Sequence, residues 1–309
     1  MASQDKRMEI ILASPRGFCA GVVRAIDIVN MCIDKFGTPI YVRHEIVHNP
    51  HVVNELKERG AIFVDELSDI PPDSTVIFSA HGVSPAVWDE ARKKNLHIID
   101  ATCPLVTKVH SESIKYKKQG YSIILIGHEG HDEVIGTMGE APDQTYLIES
   151  ESQVNQLKVE HPEKTIALTQ TTLSVEDTKD IISSLKVKFP NLVARNDICY
   201  ATSNRQEAVK QLASQVDMVL VIGATNSSNC ARLREVAENC GIPAYLIDGP
   251  EAINPSWLDN YDKIGVTSGA STPEQLIDAV ITKCNPAKVS TLETKKENVS
   301  FVLPKELRN

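Results

Sequence analysis

Six short apolar runs, each ending in small or polar residues, punctuate the chain. They are IILASPRG around Ile11, VIFSAHG around Val76, IILIGHEG around Ile124, IALTQTT around Ile166, MVLVIGAT around Val219 and IGVTSGAS around Ile264. Unbroken runs of this kind suit strands buried on both faces, and the helical patterns between them predict parallel sheets covered by helices. The first, third and fifth runs form one series and the others a second, with members of each recurring at about a domain's length. The expected fold class is therefore α/β: three similar α/β units with mainly parallel sheets, over residues 8–103, 104–199 and 200–284, then a tail over 285–309 that packs back on the body.

Composition narrows the function without deciding it. At 42% hydrophobic and 24% charged residues the chain reads as an ordinary soluble globular protein. Against 32 Lys and Arg stand 41 Asp and Glu, a net charge of −9, with no basic stripe, which excludes nucleic acid and anionic membrane as main partners. A small anionic substrate remains open, because one pocket can be donor-rich in an acidic protein. There is no apolar run long enough for a spanning helix, and the start, MASQDKRMEIILAS, is too short and polar for a signal peptide. The cysteines number seven, an odd and scattered set that fits reduced thiols in a cytoplasmic protein better than a disulfide framework.

Ligands of parallel α/β sheets bind beyond the carboxyl ends of the strands, and the residues there are rich in chemistry. Cys19 in SPRGFCAG, Cys103 in DATCPLV and Cys199 in NDICYAT each precede a helical pattern, where a thiol is favoured as thiolate. Three converging thiolates would suit an iron–sulfur cluster or zinc; buried, inert cysteines are the plainer reading. Cys32, Cys240 and Cys284 fall inside helical patterns and read as structural, whereas Cys230 is left unassigned. His48, His81, His128 and His131 follow strands beside Gly or Asn and can donate to phosphate oxygens; His44 and His51 share the first segment unranked. Ser227, Ser228 and Asn229, with Ser271, stand where strands hand over to helices, as a phosphate cradle or as simple helix caps. No GxxxxGK[ST] or GxGxxG occurs at these positions, which disfavours nucleoside triphosphates and NAD. Glu133 completes the set as a general acid or as a solvent-facing helix-start glutamate, and Thr171 lies in the strand-end segment TQTTLS.

Taken in order, PRGFCAGV, YVRHEIVHN, FSAHGVS, DATCPLVTKVH, GHEGHDEVIGTMG, TQTTLS, NDICYATSNRQ, NSSN and GAST resemble the 4-hydroxy-3-methylbut-2-enyl diphosphate reductase (LytB-type) family, from Pro15 to Ser271. The resemblance implies a pseudo-threefold, trefoil-like arrangement around a central [4Fe–4S] cluster held by Cys19, Cys103 and Cys199, with one iron open to substrate. It implies that His48, His81, His131, Ser227, Ser228, Asn229 and Ser271 bind a small allylic diphosphate. Glu133 and Thr171 then deliver the proton, and His131 helps to fix the bound conformation. The implied electron donor is a ferredoxin or flavodoxin. A non-redox hydratase or lyase, an iron–sulfur sensing protein and a structural zinc site are the competing readings of the same residues.

Overall fold

Within MVLVI the side chains of Met218, Leu220 and Ile222 enter one hydrophobic cluster and those of Val219 and Val221 another, so this strand is buried on both faces. The same holds for SIILI and TIALT, whose residues are all buried. Continuous apolar runs thus become the inner strands of sheets covered on two sides.

The computed structural model describes residues 8–308, so the polar start of the chain, read above as no signal peptide, falls largely outside the described residues. In chain order the elements begin β1 (Glu9–Ser14), α1 (Ala20–Phe36), β2 (Ile40–Arg43), α2 (Pro50–Glu58), β3 (Ala61–Val64), β4 (Thr75–Phe78), α3 (Pro85–Lys93) and β5 (His97–Asp100). There follow α4 (Pro104–Lys118), β6 (Ser122–Ile126), α5 (Asp132–Glu140), β7 (Thr145–Ile148), β8 (Thr165–Thr169), α6 (Val175–Lys188) and β9 (Val193–Ala194). The chain ends through α7 (Tyr200–Ala213), β10 (Met218–Ile222), α8 (Ser228–Asn239), β11 (Ala244–Ile247), α9 (Pro255–Asn260), β12 (Lys263–Ser268), α10 (Glu274–Cys284) and β13 (Lys288–Glu293).

These strands make three sheets, ordered β3-β2-β4-β5, β7-β6-β8-β9 and β11-β10-β12-β1-β13. Every pairing among the described strands is parallel. Read across, the sheets repeat one plan: β2, β6 and β10 are equivalent, as are β4, β8 and β12, and as are β5, β9 and β1. The plan corrects two expectations. The run around Ile11 belongs with β5 and β9 rather than with the runs around Ile124 and Val219. Residues 8–103 are not one unit either, because β1 pairs with β12 and β13 instead of with the strands that follow it. Short strands hid the pattern: the inner strand IYVR and the edge strands HIID and the two-residue VA are too brief or too polar to stand out in a hydrophobicity reading.

By contact density the chain forms two compact units. One comprises the described residues up to Cys19, His48–His51 and Tyr200–Val299, and holds the five-stranded sheet. Its core has α10 on one face, through Leu276, Ile277 and Val280, and α7 and α8 on the other, through Leu212 and Leu233. Of the expected tail, residues 288–293 add β13 beside β1 in this sheet. The other unit comprises Ala20–Val47, Val52–Cys199 and Ser300–Asn309, and holds both four-stranded sheets. There α6 covers one face of β6 and β8 through Ile181 and Leu185, while α4 and α5 cover the other through Val109 and Val134. Among the described residues no helix is long and apolar enough to cross a membrane.

Candidate active site

Equivalent strands end in equivalent chemistry. Cys19, Cys103 and Cys199 follow β1, β5 and β9, and each immediately precedes the first residue of a helix, α1, α4 or α7. Each cysteine amide also donates to a loop that leaves the neighbouring strand. Cys19 N–H bonds to Ala270 O at 3.1 Å, Cys103 N–H to Ala80 O at 2.9 Å and Cys199 N–H to Thr171 O at 3.0 Å. Ala270 adjoins Ser271, Ala80 adjoins His81, and Thr171 is itself a candidate, so every cysteine is tied to a loop that carries a candidate site residue.

Apart from the exposed Cys240, the thiols sort into two groups. Cys19, Cys103 and Cys199 are partly exposed and free of disulfides. Cys32, Cys230 and Cys284 are buried, and burial pushes their thiols up to about 12, about 11 and about 11. Only the first group combines access with a helix N-terminus, the setting in which a thiol is favoured as thiolate. Cys230 gains a role in packing: its Sγ lies where a side chain on Gly223 or Gly269 would stand, 2.4 and 2.2 Å from their ideal Cβ positions. Both glycines are thereby required for the loops after β10 and β12 to close over the sulfur.

In metal-free protein at pH 8, alkylation is expected to label the exposed Cys240 first and Cys19, Cys103 and Cys199 next. Cys32, Cys230 and Cys284 should react only on unfolding, since a thiol near 11 is about one part in a thousand thiolate at that pH. Mass spectrometry of the labelled peptides reads the order. Rapid labelling of Cys230 in the folded chain would contradict it.

In the first unit, Ser227 caps α8, its Oγ accepting from Cys230 N–H at 3.4 Å, and Ser228 opens the helix. Asn229 is 5% exposed, and neither atom of its amide has a hydrogen-bond partner among the described residues. A buried amide left so costs about 1–3 kcal/mol, which a bound polar ligand would remove. The Ser271 hydroxyl donates to His48 O at 3.1 Å, joining two more of the predicted residues at the loop after β12.

In the second unit, Glu133 is the second residue of α5, buried at 6% exposure. Its carboxylate accepts both donors of the buried Thr171: the amide at 2.9 Å on Oε2 and the hydroxyl at 3.0 Å on Oε1. The pairing joins the loops after β6 and β8. His131 caps α5 by accepting Glu133 N–H on Nδ1 at 3.2 Å, so in the neutral ring the proton sits on Nε2 as a donor. His81 meets His131 edge to face, with ring centroids 6.0 Å apart.

Two residues that sequence reasoning did not rank belong to this wall. Asp132 accepts from His44 Nδ1 at 2.7 Å and lies 3.9 Å from His81 Nδ1, so one carboxylate holds the first imidazole and stands within ion-pair range of the second. Between His131 and Glu133 it looked like an ordinary acid in a helix's first turn, which favours acids anyway. His128 goes elsewhere, 3.7 Å from Glu149. Nearby, Asp197 has a side chain only 1% exposed and pairs with Lys108 at 3.2 Å. Burial pushes its carboxyl above the usual range, against the opposing pull of Lys108.

The chain matches the family described as LytB protein over residues 10–285. It is 58% identical to the 4-hydroxy-3-methylbut-2-enyl diphosphate reductase of Saccharophagus degradans, covering 97% of this chain and 100% of that one. Among solved structures it is similar to the E-1-hydroxy-2-methyl-but-2-enyl-4-diphosphate reductase of Plasmodium falciparum, at 40% identity and a TM-score of 0.94 over 98% of this chain and 97% of that one. It is also similar to an (E)-4-hydroxy-3-methyl-but-2-enyl diphosphate reductase described as the terminal enzyme of the non-mevalonate pathway, at 33% identity and a TM-score of 0.65 over 90% and 99%. With strand-end cysteines, paired Glu133 and Thr171 and a match of this extent, the chain belongs to the LytB protein family.

Proposed function

We propose that the chain is a 4-hydroxy-3-methylbut-2-enyl diphosphate reductase of the non-mevalonate isoprenoid pathway, acting in the cytoplasm. The observation that carries the reading is the buried Glu133–Thr171 pair beyond the adjoining strands β6 and β8, with His131 at the start of the same helix as Glu133 and His81 edge to face with His131. The relatives of known name support it.

In this reading Cys19, Cys103 and Cys199 hold a [4Fe–4S] cluster, which supplies an open Lewis-acidic iron and a path for electrons. The reaction replaces an allylic C–OH bond with C–H, so two electrons and two protons enter and water leaves. Protonation at either end of the allyl group gives isopentenyl or dimethylallyl diphosphate. Glu133 holds the proton for the departing hydroxyl, and the Thr171 hydroxyl on Oε1 extends the proton line. His48, His81, His131, Ser227, Ser228, Asn229 and Ser271 bind the diphosphate, and the buried amide of Asn229 finds its partner there. With the anion anchored at its far end, its binding energy fixes the small hydrocarbon for reaction, and His131 fixes its conformation. A ferredoxin or flavodoxin brings the electrons.

The test is anaerobic iron and sulfide analysis joined to turnover of the allylic diphosphate with and without reductant. Turnover that depends on reductant is expected. Conversion without reductant would make the protein a hydratase or lyase, and cluster content without conversion would make it a sensor.

A further inference from the structure

One arrangement recurs three times and has no part in the reading above. Arg24 and Lys108 stand five residues after Cys19 and Cys103, and Arg205 six after Cys199, each within the helix that its cysteine precedes. Each of these cations reaches the backbone or side chain just ahead of the next cysteine. Arg24 Nη1 donates to Ala101 O and Thr102 O, both at 3.1 Å, immediately before Cys103. Lys108 Nζ donates to Asp197 Oδ1 at 3.2 Å, two residues before Cys199. Arg205 Nη2 donates to Gly17 O at 2.8 Å, two residues before Cys19.

The three contacts close a cycle through the covalent chain. The helix after Cys19 holds the Cys103 loop, the helix after Cys103 holds the Cys199 loop, and the helix after Cys199 holds the Cys19 loop. We propose that Arg24, Lys108 and Arg205 are equivalent positioning residues that fix the backbone before each ligand thiol and so set how firmly the cluster is held. The inference rests on the three-cysteine reading above.

Each cation is placed for support rather than solubility. Arg205 is wholly buried, and its Nη1 is further anchored by Glu297 at 3.1 Å. Arg24 also fastens the chain's end, its Nε donating to Val302 O at 2.9 Å. Lys108 is itself half exposed, but the carboxylate that it meets is almost entirely buried. A charge-assisted bond to a buried acceptor holds direction as well as distance. A thiolate whose backbone is fixed needs no reordering to bind metal, and loss of such outer support typically costs about ten- to hundredfold in metal affinity.

Lys108 offers the clean test, because its side chain can be changed without opening a core. Iron release from the anaerobically prepared full chain to a chelator is followed by the loss of iron–sulfide absorbance. Lys108→Met is expected to release iron about tenfold faster than the parent. Lys108→Arg should restore the parental rate, and Lys115→Met, on the same helix and paired with Glu112 at 3.6 Å, should leave it unchanged. The double variant Lys108→Met/Asp197→Asn, which leaves no unpaired carboxylate, should release as fast as Lys108→Met. Parental release from Lys108→Met overturns the proposal. So does a parental rate in the double variant, a fast rate in Lys115→Met, or no recovery in Lys108→Arg. Absence of iron and sulfide from the parent chain itself would overturn the cluster reading, and this inference with it.

Discussion

Glu133→Gln is expected to cut turnover by about 10²–10⁴-fold while cluster content and substrate binding stay near those of the parent. The substitution keeps the volume of the buried side chain and one oxygen acceptor. It removes the proton, and it turns an NH₂ group toward one of the two donors of Thr171, the amide at 2.9 Å or the hydroxyl at 3.0 Å. That mismatch costs about 1–3 kcal/mol, a loss of stability that a melting curve would show. A fall in kcat with KM unchanged would mark a group that acts in the chemical step. Parental kcat in the variant would assign proton delivery to another side chain.

Cys103→Ser is expected to retain less than about a tenth of the parental iron and sulfide, because an alcohol is a poor ligand for a soft metal. The position makes the result easy to interpret. Cys103 is the N-cap of α4, its thiol makes no capping bond there, and serine caps a helix well. Helix α4 therefore keeps or gains stability, and loss of metal cannot be ascribed to loss of the helix. Full iron content in this variant would remove Cys103 from the ligand set.

Much of this architecture is written in the chain at a legible scale. The six apolar runs are strands, and the chemistry lies just beyond them, because burial on both faces demands unbroken hydrophobic residues and their ends must turn into polar loops. The pairing of Glu133 with Thr171 was anticipated through family resemblance, since two residues 38 positions apart carry no local signal that they meet. The repeat's phase was misread for a physical reason. The strands that precede Cys103 and Cys199, β5 and β9, lie at sheet edges, where one ladder is free and the apolar pattern weakens. The roles of Asp132, Lys108 and Arg205 were invisible for another reason. Each is a charged residue in the first two turns of a helix, common on any surface, and only its partner in space distinguishes it.

The place of β1 bears on how such a protein is made. Its ladder partners, β12 and β13, are synthesised last, so Ile10 and Leu12 leave the ribosome with no sheet to enter. Until residues 263–293 emerge, the amide of Cys19 has no Ala270 carbonyl to bind. The loop that carries Cys19 thus takes its final form only after Ala270 has been made, and the nascent chain must shelter the apolar strand β1 until β12 and β13 follow it.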